Sequence, residues 1–138
     1  MICISALTHY VVVRSDIPIG AASAQIVHAA GESSSGNLPP NTFAVVLAAD
    51  SEDVILKLSA QLYLQNIKHI VVREPDAPWY NQAMAIGVYP QLRENVRRAF
   101  RHLRLYKGQA NERQCLPSDH RSYSSNGEGI KGVKEALP

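Results

Sequence analysis

The stretch His9-Tyr10-Val11-Val12-Val13-Arg14 is β-branched and apolar almost without a break. A strand with no polar alternation has no face to give to water, so the rest of the chain must cover it on both sides. Turn residues Ser15-Asp16-Ile17-Pro18-Ile19-Gly20 end the run. From Ala21 a short helix of small residues is expected, with Gly31 as its C-terminal cap. Residues 32–41 are rich in Ser, Gly, Pro and Asn and read as a loop. Thr42–Leu47 is a second strand. Asp50-Ser51-Glu52-Asp53 then opens a helix whose acidic start complements the helix dipole. Val54, Leu58 and Leu62, with Ile55 and Leu64 nearby, keep helical spacing, and Asn66 ends the helix.

Ile67–Arg73 predicts a third strand, Glu74–Trp79 a turn and Gln82–Val88 a fourth strand. That connection is too short for a crossover helix, so strands three and four should be antiparallel neighbours. The two strand–helix–strand connections suit parallel pairing. Pro90 leads into a last helix with Leu92, Val96, Ala99, Phe100 and Leu103 as its apolar stripe. Arg93, Arg97, Arg101 and Arg104 line an adjacent face. The expected fold class is α/β, a single domain over residues 1–107 with a mixed four-stranded sheet and helices packed on its faces. Residues 108–138 contain four Gly and four Ser without sustained periodicity and read as a flexible tail.

At 138 residues the chain suits one domain with its own core. It has no apolar run of the roughly 18 residues that a membrane span needs. Cys3 and Cys115 stand far apart without Cys-x-x-Cys spacing, which fits idle thiols in a reducing cytoplasm. No two of the five histidines show the i, i+4 spacing of a helical metal site, so neither a metal nor a cofactor is expected. Charge is uneven. Residues 1–90 carry four basic and seven acidic side chains, whereas residues 91–107 carry six basic groups against Glu94 alone. That local excess points to an anionic partner, and a solvated helix face is the plainer reading.

Val12-Val13-Arg14-Ser15-Asp16, followed by Gly20-Ala21-Ala22-Ser23-Ala24-Gln25-Ile26-Val27-His28-Ala29-Ala30, resembles the signature of type 2 peptidyl-tRNA hydrolases. Asp50-Ser51-Glu52 looks like that family's second strand-to-helix junction, and Ala85-Ile86-Gly87 before Pro90 like its last strand. Gln65-Asn66-Ile67-Lys68-His69, Glu74-Pro75 and Leu103-Arg104-Leu105-Tyr106-Lys107 are closest to the divergent branch named peptidyl-tRNA hydrolase domain-containing proteins. The resemblance covers residues 9–107 in order. It implies hydrolysis of the ester between peptide and tRNA, a cytoplasmic role in translation, tRNA as the partner, and no membrane. A homodimer is left open. Three departures are plain: Ala21 replaces the family's lysine, the loop Glu74–Tyr80 is short and lacks threonine, and the helix after the histidine helix is reduced to residues 32–41.

Such chemistry needs a positioned water, stabilisation of an oxyanion, and cations for RNA. The resemblance assigns Gln25, His28 and Asp76 to catalysis. Gly20, Arg93, Arg97, Arg101 and Arg104 are the candidate nucleic-acid contacts. Spacing alone lets Gln25 and His28 share a helix face, with free N–H groups at Ala21, Ala22 and Ser23 as an anion site beside Gly20. His28 is equally read as a core histidine pinning helix to sheet, and Asp76 as a turn former. Asp16 is an alternative carboxylate or a cap. Trp79 and Tyr80 either stack on a terminal base or close the core. Two functions follow: a slow esterase, or a non-catalytic module that keeps the fold and binds tRNA or protein.

Overall fold

The computed structural model describes residues 6–108. Its elements are β1 (Leu7–Arg14), α1 (Ile19–Glu32), β2 (Phe43–Ala49), α2 (Glu52–Leu64), β3 (His69–Glu74), β4 (Gln82–Leu92) and α3 (Arg93–Phe100). The tail expected after Lys107, apart from Gly108, and both cysteines lie outside the described residues. The strands form one mixed sheet in the order β2-β1-β4-β3. β1 pairs in parallel with β2 and antiparallel with β4, and β3 pairs antiparallel with β4. The chain is thus a small α/β domain with a four-stranded mixed sheet and three helices.

β1 is central and buried along nearly its whole length, as its unbroken apolar run requires. On one face Val11, Val13, Met84 and Ala85 pack against Ala22 and Ala29 of α1. On the other, Tyr10, Val12, Ile86 and Val88 pack against Ile55, Leu58 and Leu62 of α2 and Val96, Ala99 and Phe100 of α3. Side chains such as Ile55 and Leu62, fully withdrawn from water, each contribute about 2 kcal/mol of burial. No described helix is long and apolar enough to cross a membrane.

Several boundaries differ from expectation. α1 begins at Ile19 and ends at Glu32, so Gly31 is helical rather than a cap, and Ser33 takes the C-terminal position. Leu64 is exposed, at 81%, off the buried stripe of α2. β4 runs on through Pro90 to Leu92. The ring is accommodated because the β1–β4 register shifts there, with Thr8 opposite Gln91 but Tyr10 opposite Val88. Such a bulge is a place where a strand tolerates a missing N–H. α3 stops at Phe100. The chain beyond it returns along β2, with the Ala48 N–H bonded to the Arg104 carbonyl and the Tyr106 N–H to the Val46 carbonyl, both at 2.9 Å.

Candidate functional site

β1, β2 and β3 point the same way, so Arg14, Ala49 and Glu74 finish at one end of the sheet, where β4 begins at Gln82. The carboxyl ends of parallel strands are where α/β sheets gather binding groups, and the polar side chains here converge. The Arg14 guanidinium, 7% exposed, donates from Nε and Nη2 to both oxygens of Asp16 at 2.8 and 2.9 Å. Its Nη1 donates to Gln82 Oε1 at 2.8 Å. The hydrogen bond to Asp16 raises the Arg14 pKa against the opposing effect of burial. Glu52, in the first turn of α2, accepts the Ala83 N–H at 2.6 Å and ties that helix to the start of β4.

Glu74 stands directly opposite Gln82 in the β3–β4 ladder. Its Oε2 accepts Gln25 Nε2 at 2.9 Å, and its Oε1 accepts the backbone N–H of Asp76 at 3.2 Å. Gln25 and Asp76 are therefore brought to one carboxylate that spacing did not single out. Glu74 read as a turn residue, yet it closes β3, and only the strand end aims it at α1.

His28 does not join them. The stripe of α1 that meets the sheet is Ala22, Gln25 and Ala29. Gln25 lies at its margin, and at 3.6 residues per turn His28 falls about 60° further toward water. It is exposed, so the reading as a core histidine does not fit, and it stands apart from the Gln25–Glu74 contact. The core role belongs to His9, 5% exposed, whose Nε2 is 2.7 Å from Ser33 Oγ.

The anion site also moves. The Ala22 N–H is bonded to the Pro18 carbonyl at 2.9 Å, and Ser23 sits one residue deeper in the helical ladder. The open N–H groups of the first turn are those of Ile19, Gly20 and Ala21. Gly20 is exposed and remains beside them. Asp76 is exposed and its carbonyl accepts the N–H groups of Trp79 and Tyr80, which is turn-forming work. Asp16 is held by Arg14 and caps nothing, since Pro18 occupies the N-cap of α1. Trp79 packs against the α1-side core, whereas Tyr80 is 74% exposed.

The four-arginine face is divided. Arg104 lies past α3 and pairs with Asp50 at 2.9 Å. Arg93, Arg97 and Arg101 instead line a groove of about 980 Å³ between α3 and β2, floored by Tyr10, Val45, Leu47 and Phe100. The signal that could have identified the strand-end cluster was Arg14 and Asp16 at the close of the first strand. The contact of Arg14 with Gln82, 68 residues away, carried no local signal. A scan of protein families finds no match for the chain, and a search of curated proteins finds none.

Proposed function

We propose that the chain is a slow esterase of peptidyl-tRNA hydrolase type, acting at the carboxyl ends of β1 and β3. The observation that carries this reading is the hydrogen bond from buried Gln25 to Glu74, because it joins a polar residue of the α1 signature to a carboxylate next to the Asp76 backbone. With Nε2 given to Glu74, the Gln25 amide has Oε1 left to hold a water, and exposed Asp76 accepts that water's proton as it attacks the ester carbonyl. The oxyanion is assigned to the open N–H groups of Ile19, Gly20 and Ala21. The tetrahedral adduct then releases the ribose oxygen, which takes the proton from Asp76, leaving a free peptide acid and tRNA. His28 has no part in this scheme. Arg93, Arg97 and Arg101 serve as tRNA contacts rather than reacting groups.

Ala21 leaves no ammonium beside Gln25, and this favours a second reading, in which the domain binds tRNA without cleaving it. Release of labelled N-acetylaminoacyl group from purified tRNA decides between them. The esterase reading expects slow turnover that falls at least about a hundredfold in Gln25→Ala and in Glu74→Ala, as for loss of a positioning or acid–base group. Absence of wild-type turnover despite tRNA binding would establish the binding module instead.

A further inference from the structure

We infer that the groove between α3 and β2 is a separate binding site for unpaired RNA. Thr8 and Tyr10, at its floor, lie near the start of β1, whereas Arg14 ends that strand. The groove lies on the sheet face covered by α2 and α3, whereas Gln25 sits on α1 over the opposite face, so a ligand in the groove does not touch Gln25. The choice of RNA as ligand rests on the reading of tRNA as partner and deepens it by naming what the groove accepts.

Three observations define the ligand. Arg93, Arg97 and Arg101 recur every four residues, about 6 Å apart along the helix, and form no ion pair among the described residues. With Glu94 the carboxylate on the same wall, the row presents three guanidinium groups against one acidic side chain. Tyr10 and Phe100 pack on each other with ring centroids 4.9 Å apart and make a fixed aromatic floor. Phe43, on the opposite wall, is 62% exposed and offers a free ring face. A nucleotide chain brings a charge and a planar base in every unit, which matches a row of cations facing an aromatic ring. An acidic peptide brings the charge without a planar group at each residue. In a duplex the bases are stacked inside and cannot reach Phe43.

The experiment measures binding of a fluorescent, mixed-sequence, unstructured oligoribonucleotide to the full chain at several salt concentrations. Phe43→Ala should weaken binding about tenfold, the loss of one base–aromatic stack. Replacing Arg97 and Arg101 together by Ala should reduce the salt slope by about 1.4, since each phosphate contact to a single strand contributes about 0.7. Arg98→Ala, on α3 but outside the groove, should change neither. All these side chains are exposed, and a thermal melt of each variant serves as the check that it is folded. The proposal is overturned if Arg98→Ala matches the Arg97/Arg101 variant, if Phe43→Ala is without effect, or if a duplex binds as tightly as the single strand. It is also overturned if an acidic peptide binds the groove more tightly than the RNA. Wild-type chain that binds RNA in this pattern but fails to cleave ester-linked tRNA sinks the esterase alone. Cleavage that persists with groove variants of unchanged affinity sinks the groove alone.

Discussion

At the scale of single residues, the close approach of α1 to the sheet hangs on three residues, Gly87, Ser33 and His9. Gly87 on β4 lies under the end of the helix, where an added Cβ would collide with the Ala29 carbonyl and sit 2.6 Å from Ser33 Oγ. The Ser33 hydroxyl has one proton, and Ala29 O at 2.6 Å takes it. His9 then donates from Nε2 to Ser33 Oγ, which fixes its neutral tautomer. Burial lowers the His9 pKa below 6.5. Above pH 6.5 the ring is neutral in both folded and unfolded chains, and its full contribution to stability is present. As pH falls below 6.5 the unfolded chain takes up the proton first, so stability declines until the folded pKa is passed. Urea midpoints should therefore drop on acidification from pH 6.5, and His9→Gln should flatten that slope. An unchanged slope in the variant would assign the acid loss to carboxylates. None of this was visible in sequence, where His9 was one more residue of a strand.

Helix ends were legible where the capping signal is local. Ser51 accepts the Val54 N–H at 3.4 Å as the N-cap of α2. At the other end Asn66 has φ +57°, while its N–H bonds the Tyr63 carbonyl and the Ile67 N–H bonds the Leu62 carbonyl. That paired pattern is a Schellman motif, and Leu62 and Ile67 share the core beneath it. Asn66→Gly should alter stability by only a few tenths of a kcal/mol, since glycine accepts the left-handed backbone freely. Asn66→Val should cost about 1–2 kcal/mol. Equal urea stabilities for the two would mean that the turn relaxes without loss. Gly31 misled for the converse reason. A glycine marks a helix end only when its backbone turns left-handed, and α1 is instead held through Ser33 against β4.

Across the whole domain, β2 is an edge strand whose outer side is partly covered by the chain beyond α3. The Leu47–Leu105 bridge and the flanking backbone bonds make residues 104–106 part of the sheet's margin. Residues 1–108 form a compact unit by themselves. Truncation after Gly108 should leave cooperative unfolding intact with a Tm close to that of the full chain. Truncation after Leu103 removes two backbone hydrogen bonds worth about 1 kcal/mol each and should lower Tm by about 10 °C. Similar melts for the two truncations would show that the returning segment contributes nothing to the fold.

The sequence by itself determined the elements and much of their pairing. An apolar run of period one must be buried on both faces, and a connection of a few residues cannot cross a sheet, so β1 had to be covered on both sides and β3 had to run antiparallel to β4. The same local physics could not decide strand order, which places β2 and β3 on opposite edges although one helix joins them. Nor could it decide which way α1 rolls on the sheet. Gln25 and His28 are neighbours by spacing, but the small residues Ala22 and Ala29 set the helix down so that one is buried and the other faces water. Glu74 meets Gln25 across 49 residues, and Arg14 meets Gln82 across 68. Contacts of that range arise only when the strands bring their ends together, so the candidate site was decided by the tertiary structure.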